Sequence, residues 1–234
     1  MNNNFLKLAT YNIHRSTGTD GACVPERIAH VINGLQADII GLQEVGWYHR
    51  KGRRTNQFDF LREKTGYDIV PGLVRDHDNA CFGNALLTRH HVKSYACLNL
   101  TVSGNAPRGA VQAILQTNHG ALQIIIVHLG LSPWERYRQM KVIADFIRTQ
   151  PTIPTVVMGD FNQWLYQTEA SNQITNLLPG HVHDLTFPAQ LPVVRLDRMF
   201  LSSKIKLLGK KVLKNEITKK ASDHLPLLAE VICS

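Results

Sequence analysis

The stretch Thr155-Val156-Val157-Met158-Gly159-Asp160-Phe161-Asn162 combines a buried strand with two polar residues at its end. The apolar run Ile153 to Met158 has prolines before and within it and stops at a glycine, which is typical of a short buried strand. Side chains two residues apart on an extended chain point the same way, so Asp160 and Asn162 face a common point. Gly-Asp also opens many ordinary turns, so this motif gains its meaning from similar patterns elsewhere in the chain.

Polar side chains recur at or near the ends of other apolar runs. The full set is Asn12, Glu44, Asn84, His128, Asp160, Asn162, Asp197, Asp223 and His224. Mg²⁺ prefers oxygen ligands and keeps several waters, so one or two carboxylates suffice to hold it. The remaining groups could orient a water and neutralise charge on a phosphoryl group. Cysteine is absent from the set, which argues against zinc.

Each of these residues also has a simpler structural interpretation. Asn12 and Asn84 could be turn or strand-edge residues, Asp223 could begin a turn before Pro226, and His128 could be a core histidine. The lysines near the end of the chain alternate with apolar positions, which predicts a solvated edge that keeps strands from pairing. They are Lys204, Lys206, Lys210, Lys211, Lys214, Lys219 and Lys220.

Composition and charge limit the possible functions. The 234 residues are 44% hydrophobic and 19% charged, as in an ordinary globular protein, and carry a formal net charge of +8. A basic balance favours polyanionic partners such as nucleic acid, phosphorylated small molecules or an anionic membrane surface. The cysteines are widely spaced, and the sequence shows neither a signal-peptide pattern nor an apolar run of about eighteen residues. These features predict a cytoplasmic protein without a membrane span. We expect a monomer that has no obligate protein partner.

The periodicity predicts an α/β protein with one domain over residues 1–234. Helices are expected from Pro25, and from Pro133 behind the capping-box residue Ser132. The strands 109–117 and 122–129 form a predicted hairpin, whereas His49 to Arg54 reads as an exposed basic loop. Alternation of α and β early in the chain, followed by β-rich runs, predicts two packed sheets flanked by helices.

Five motifs in order resemble the endonuclease/exonuclease/phosphatase (DNase I-like) superfamily. They are Tyr11-Asn12-Ile13, Leu42-Gln43-Glu44, Gly159-Asp160-Phe161-Asn162, Leu196-Asp197 and Ser222-Asp223-His224. The superfamily includes DNase I, AP endonucleases, neutral sphingomyelinases and inositol polyphosphate 5-phosphatases, and the resemblance spans residues 6 to 230. It implies a four-layered α/β/β/α sandwich of two mainly antiparallel sheets.

The resemblance also implies roles for the polar residues. Glu44 resembles the principal metal carboxylate, with Asn12 and Asp223 as further members of a site for Mg²⁺ or Mn²⁺. Asp160 resembles the residue that orients or deprotonates the attacking water, and Asn162 holds the phosphate or water beside it.

Two histidines complete the implied catalytic set. His224 resembles the histidine that contacts a non-bridging phosphate oxygen, and Asp197 the carboxylate that orients it. His128 is typical of the DNase I and sphingomyelinase branch, whereas AP endonucleases carry a tyrosine there and usually a tryptophan just before the motif Leu196-Asp197.

Asn84 and Arg108 are the predicted substrate contacts, since a guanidinium at Arg108 would lie close to the cleft and matches phosphate geometry. The sequence therefore predicts a magnesium-dependent phosphodiesterase that acts on nucleic acid by in-line attack of an activated water. Hydrolysis of a phospholipid or of a small phosphate ester is the alternative, and a non-catalytic nucleic-acid-binding module is another. The motif set has lost no ligand, which favours an enzyme.

Overall fold

A computed structural model of the chain describes residues 5–50, 53–77, 80–164 and 168–233. Side chains are described for these residues apart from 47–50, 53–55, 75–77 and 80. Within them, thirteen strands and five α-helices follow one another along the chain. The strands form two sheets that pack face to face.

The first sheet contains both ends of the described chain. Its strands, in spatial order, are β12 (Ile205–Val212), β13 (Leu227–Cys233), β1 (Leu6–Asn12), β2 (Ile39–Arg50), β5 (Ala80–Thr88) and β4 (Asp68–His77), with β3 (Arg53–Asn56) paired to β2. The pairing of β1 with β2 is parallel and the other described pairs are antiparallel. The lysines of β12 therefore lie on an edge strand, as the sequence predicts.

The second sheet contains the stretch that begins at Thr155 and ends at Asp160. Its strands, in spatial order, are β10 (Gly180–His183), β11 (Asp197–Leu201), β9 (Thr155–Asp160), β8 (Gly120–His128), β7 (Gly109–Thr117) and β6 (His91–Asn99). Here β8 and β9 are parallel and the other described pairs are antiparallel. The predicted hairpin is confirmed, because Thr117 pairs with Gly120 across a two-residue turn.

Helices cover the outer face of each sheet. Those over the first sheet are α1 (Pro25–Leu35), α2 (Gln57–Thr65) and α5 (Glu216–Ala221), and those over the second are α3 (Pro133–Thr149) and α4 (Glu169–Thr175). Leu8, Ile126 and Met158 belong to the core between the sheets, and each helical layer encloses a separate apolar core. The predicted four-layered α/β/β/α sandwich of mainly antiparallel sheets is confirmed.

Local sequence signals explain where the helices begin. Pro25 occupies the first turn of α1, whose apolar positions Ile28 and Ile32 are fully buried against the first sheet. Ser132 caps α3 by accepting a hydrogen bond from the Glu135 amide at 3.1 Å. The predicted starts of both helices are therefore confirmed.

Some predicted boundaries are wrong. The strand β2 does not stop at Glu44 but continues to Arg50, and β3 pairs back onto it where a basic loop is expected. Pairing with β3 extends β2 beyond the apolar run that marks its sequence signal. The arginine side chains of this hairpin lie outside the described part of the structure.

Cys23, Cys81, Cys97 and Cys233 are free thiols. None of the described helices is both long enough and apolar enough to cross a bilayer. Compartment, domain extent and oligomeric state stay predictions.

Candidate active site

Three neighbouring strands of the second sheet bring three of the predicted residues into one row. In the β8–β9 pairing His128 stands opposite Asp160, and in the β9–β11 pairing Asp160 stands opposite Asp197. The parallel strands β8 and β9 end here, whereas the antiparallel β11 begins here. We call this end of the second sheet the polar edge.

The first sheet contributes Asn12 and Glu44 to the polar edge. Asn12 is the last residue of β1, and its Nδ2 donates to Glu44 Oε1 at 3.3 Å and to Asp160 Oδ2 at 3.1 Å. Glu44 lies inside β2, in an irregularity of the β2–β5 pairing, rather than at the strand end expected from sequence. One buried amide therefore links the predicted metal carboxylate to the predicted catalytic carboxylate across the two sheets.

Asp160 is the centre of the cluster and is almost completely buried. Its Oδ1 accepts a hydrogen bond from the Asn162 amide at 2.8 Å. Its Oδ2 lies 3.7 Å from His128 Nε2 and 3.7 Å from His224 Nε2. Both distances exceed a normal hydrogen bond, so each imidazole faces Asp160 without being bonded to it.

His224 and Asp197 form the closest ion pair of the site. His224 Nδ1 lies 2.8 Å from Asp197 Oδ2, and both side chains are buried. Burial alone would lower the pKa of His224, but the negative charges of Asp197 and Asp160 outweigh it and raise the pKa to about 10. The imidazole is therefore a cation at neutral pH, and its Nε2–H points toward Asp160.

His128 has the opposite protonation state. Burial lowers its pKa to about 3, and the neighbouring Arg108 opposes protonation further, although Asp160 favours it. Arg108 Nη1 lies 3.3 Å from His128 Nδ1 and 3.4 Å from Nε2, and a neutral ring can accept a hydrogen bond from the guanidinium at its one unprotonated nitrogen. Arg108 thus brings a positive charge to the polar edge, as the sequence predicts for a phosphate contact.

The side chains around Glu44 suit a hard divalent cation. Glu44 and Asp223 are partly exposed carboxylates, and Arg15 Nε lies 3.6 Å from Glu44 Oε2 while His14 Nδ1 lies 3.6 Å from Asp223 Oδ1. Both carboxylates can supply the oxygen ligands that suit Mg²⁺ with its retained waters, whereas the Asn12 Oδ1 accepts a hydrogen bond from the His14 amide at 3.0 Å. In the described residues no three His, Cys, Asp or Glu side chains come together closely enough to form a metal cage by themselves.

Left-handed backbone is concentrated at the same place. The non-glycine residues with positive φ in the described chain are His14, Arg15, Ser16, Gln36, Glu44 and Asn162. All except Gln36, which caps α1, belong to segments that line the polar edge. Such conformations cost about 1–3 kcal/mol each and persist where surrounding contacts hold them, as at functional sites.

Asn84 differs from its sequence-based interpretation. It lies in the middle of β5 rather than at a strand end, and its Nδ2 donates to the Gly109 carbonyl at 2.9 Å. Because this bond joins the two sheets next to Arg108, Asn84 supports the segment that carries the guanidinium. Asn162 is bonded in a similar way, since its Nδ2 donates to the Leu129 carbonyl at 2.8 Å.

Sequence reasoning missed several residues that hold the site together. Ser222 Oγ donates to the Asn12 carbonyl at 2.8 Å and accepts from the His224 amide at 3.2 Å. Gln57 Nε2 donates to the Arg15 carbonyl and thereby supports the left-handed turn after β1. Ser222 belongs to the motif Ser222-Asp223-His224, but Arg15 and Gln57 carry no sequence signal that separates them from surface residues.

The chain matches a known protein family over most of its length. Residues 9–224 match the model of the Endonuclease/Exonuclease/phosphatase family. Among curated proteins, YbhP of Escherichia coli strain K12 is 27% identical over 243 residues, covering 97% of this chain and 96% of YbhP.

Several solved structures share the fold. A protein of the same family from Bacteroides thetaiotaomicron has a TM-score of 0.82 at 17% identity and covers 98% of each chain. A mannosyl-6-phosphatase from that organism scores 0.77 at 17% identity, covering 97% of this chain and 99% of its own. TDP2 from D. rerio, solved with a single strand DNA product, has a TM-score of 0.73 at 17% identity and covers 98% of this chain and 99% of its own.

Proposed function

Because the chain belongs to the Endonuclease/Exonuclease/phosphatase family, whose members hydrolyse phosphate esters, we propose that it is a magnesium-dependent phosphodiesterase. The observation that carries the proposal is Asp160, a buried carboxylate that faces a cationic and a neutral imidazole at equal distance. Two titratable rings with pKa values pushed in opposite directions are typical of acid–base catalysis.

In this mechanism Asp160 accepts a proton from the attacking water. The water oxygen forms a bond to phosphorus while the bond from phosphorus to the leaving oxygen breaks on the opposite side. Asn162 and Asn12 fix the orientation of the carboxylate through hydrogen bonds to its two oxygens. A base held this firmly loses little orientational freedom on reaching the transition state.

The positive groups of the polar edge stabilise the charge that develops on phosphorus-bound oxygens. His224 donates from Nε2 because Asp197 holds its Nδ1, and Arg108 supplies a guanidinium beside the neutral His128. Mg²⁺ on Glu44, with Asn12 and Asp223, would supply Lewis-acid stabilisation of the same charge.

The net charge of +8 favours nucleic acid as the substrate, and this expectation is part of the proposal. The TDP2 structure with its DNA product supports it by analogy, whereas the mannosyl-6-phosphatase shows that the same fold also serves a small phosphate ester. Phospholipid is a second candidate, because Leu131, Trp134 and Trp164 are exposed on the segments that follow β8 and β9. A catalytically inactive binding module would show no metal-dependent turnover of a phosphodiester.

The first experiment measures hydrolysis of bis(p-nitrophenyl) phosphate after treatment with a chelator and after addition of Mg²⁺ or Mn²⁺. We expect the chelator to abolish turnover and either ion to restore it. Glu44→Gln should raise the Mg²⁺ concentration for half-maximal activity by about 10- to 100-fold, because a neutral amide attracts a hard cation less than a carboxylate does.

Glu63→Gln is the matched control, since Glu63 is an exposed carboxylate on α2 whose partner is Lys64. It should respond to Mg²⁺ like the wild type. Full activity of Glu44→Gln at low Mg²⁺ would refute the metal assignment, and turnover that resists the chelator would refute the metal dependence.

A further inference from the structure

The turn that follows β1 places two basic side chains at the two carboxylates proposed to hold the metal. It consists of His14, Arg15 and Ser16, which all have left-handed backbone with φ between 44° and 59°. Arg15 Nε lies 3.6 Å from Glu44 Oε2, and His14 Nδ1 lies 3.6 Å from Asp223 Oδ1. A guanidinium is always charged. Glu44 therefore has two cations that compete for it, the Arg15 side chain and the divalent ion.

The backbone of this turn is held without help from the Arg15 side chain. Gln57 is fully buried, and its Nε2 donates to the Arg15 carbonyl at 2.9 Å and to Ser16 Oγ at 2.7 Å. Its Oε1 accepts from the amide of Gly46, two residues after Glu44, at 3.0 Å. One buried amide thus ties the turn to the strand that carries the metal carboxylate. The guanidinium is therefore not needed to keep the turn in place.

The contacts that hold the guanidinium at Glu44 are weak. The distance of 3.6 Å is longer than a hydrogen bond, and 57% of the Arg15 side chain is exposed. The guanidinium carbon also lies 4.9 Å from the centre of the Phe82 ring, in a cation–π contact. Exposed ion pairs of this kind contribute little to stability. The Arg15 side chain can therefore leave Glu44 at small cost while its backbone stays fixed.

A divalent cation on Glu44 disfavours the guanidinium at the same carboxylate. Both are attracted to the same oxygens, and positive charges a few ångströms apart repel each other. Mg²⁺ also keeps several waters when it binds through one or two carboxylates, so it needs space beside Glu44. We therefore expect the Arg15 guanidinium to turn away from Glu44 when the ion binds.

The cleft offers the guanidinium a second partner. Burial keeps the pKa of His128 low, and the positive charges of Arg108 and Arg15 lower it further. Arg15 thus acts on the polar edge from the side of Glu44. A phosphodiester that reaches Asp160 brings negative charge into this space, and the fork of a guanidinium matches the geometry of phosphate oxygens.

We propose that Arg15 is a substrate-binding residue that competes with the divalent cation for Glu44 and turns to the phosphate when the cation has bound. This inference rests on the proposed hydrolase function and adds a residue to its site. It also links the two binding events, because the guanidinium is released to the phosphate only when Glu44 has another cation.

Binding of Mn²⁺ to the chelator-treated full chain, measured by calorimetry without substrate, tests the competition. Arg15→Gln removes the competing charge and keeps a polar side chain. We expect this variant to bind Mn²⁺ about three- to tenfold more tightly than the wild type does. Damage to the site would weaken Mn²⁺ binding instead, so the direction of the change separates competition from a purely structural role.

Two further variants are controls for charge. Arg15→Lys keeps the positive charge and should bind Mn²⁺ within about twofold of the wild type. Arg62→Gln removes an exposed arginine on α2 whose partner is Asp59, 3.0 Å away, and should leave Mn²⁺ affinity unchanged. Equal or weaker Mn²⁺ binding by Arg15→Gln would overturn the inference, and so would the same tightening in Arg15→Lys or Arg62→Gln.

Turnover of bis(p-nitrophenyl) phosphate at saturating Mg²⁺ tests the contact with substrate. We expect Arg15→Gln to raise KM about tenfold with a much smaller change in kcat, because the contact is made in both the ground state and the transition state. An unchanged KM would overturn the inference.

The inference and the proposed function fail in different ways. A wild-type chain that binds Mn²⁺ but shows no turnover would refute the hydrolase, and the Mn²⁺ affinities would still decide whether Arg15 competes for Glu44. Turnover by the wild type, with KM and Mn²⁺ affinity that do not respond to Arg15→Gln, would refute the inference alone.

Discussion

Asp160 Oδ2 lies 3.7 Å from two imidazole nitrogens, and only one of these rings is charged at neutral pH. Both histidines are buried, so burial opposes the charge on each. Two carboxylates face His224 and overcome this penalty, whereas His128 has Arg108 beside it and stays neutral. His224 can therefore donate a hydrogen bond to the substrate, whereas the neutral His128 serves as a partner for Arg108.

The raised pKa of His224 leads to a prediction for Asp197→Asn. If the reaction needs the cation, wild-type activity falls as pH rises through about 10, and removal of the Asp197 charge should move this basic limb to lower pH by about one to three pH units. The measurement is the pH dependence of kcat/KM. Asp184→Asn, which removes a carboxylate paired with Lys210 on the surface, should leave the limb in place. A basic limb that Asp197→Asn does not move would contradict the role of the pair.

The same ion pair contributes to stability with a defined sign. Because the folded-state pKa of His224 lies above its usual 6.5, the contribution is fully present below about pH 6.5 and is lost as pH rises through about 10.

At the residue scale the sequence predicts which side chains meet, since their types and order are visible in the motifs. It does not predict the left-handed turn from His14 to Ser16 or the bond between Asn84 and Gly109, because both depend on contacts between distant segments.

At the scale of elements, Gly159 explains why β9 can end beside β8 with Asp160 in the row of catalytic residues. Its φ is 152°, and a Cβ added there would lie 1.9 Å from the Val127 carbonyl oxygen. The parallel β8–β9 pair therefore depends on a residue without a side chain. The sequence marks this glycine as the end of an apolar run, but the close approach of β8 becomes visible only when the sheet is assembled.

Gly159→Ala should consequently destabilise the protein by about 3 kcal/mol or more and reduce activity, because the clash is with backbone. Urea unfolding followed by far-UV circular dichroism measures the change in the free energy of unfolding. Gly34→Ala is the control in α1, where an added Cβ meets nothing within 4 Å, and it should stabilise by about 0.5–1 kcal/mol. Equal stability of the two variants would contradict the close approach of the strands.

The extent of strands shows a further limit of local sequence signals. The strand β7 ends where its apolar pattern does, because both of its neighbours are equally long. By contrast, β2 runs eight residues beyond Leu42 through a polar stretch, since β3 and β5 supply its hydrogen bonds. The short strand β10 and the helix α5 contain few apolar residues and were not predicted.

At the scale of the whole molecule, the ordered motifs predict the sandwich correctly, and four of the five lie at element boundaries. The fifth, Leu42-Gln43-Glu44, lies inside β2 at an irregularity of its pairing with β5. Charge and apolar exposure point to different partners, however. The charge of +8 favours a polyanion such as nucleic acid, whereas exposed apolar side chains such as Trp134 and Leu191 also suit a lipid surface. The exposure of these two side chains could not be predicted from the sequence, since Trp134 and Leu191 resemble ordinary loop or helix residues.

A salt series distinguishes the two partners. Binding to DNA should weaken by about 0.9 log units per log unit of salt for each phosphate contacted, because bound counterions are released. Binding to phospholipid vesicles should depend less steeply on salt, since salt does not screen the burial of apolar side chains. Partitioning of the Asp160→Asn variant, measured by sedimentation with each ligand, provides the comparison. Tight DNA binding with a steep slope and no vesicle binding would support nucleic acid as the substrate.

The most direct test of the central claim is the turnover of Asp160→Asn on a phosphodiester at saturating Mg²⁺. The amide keeps the size of the side chain but cannot accept the proton of the attacking water. We predict that kcat falls by about 10²- to 10⁴-fold while the far-UV circular dichroism spectrum remains that of the folded wild type. The unfolding midpoint should drop, because the amide nitrogen replaces one of two buried oxygens that accept hydrogen bonds. A variant that stays within tenfold of wild-type kcat would contradict the assignment of Asp160 as the base.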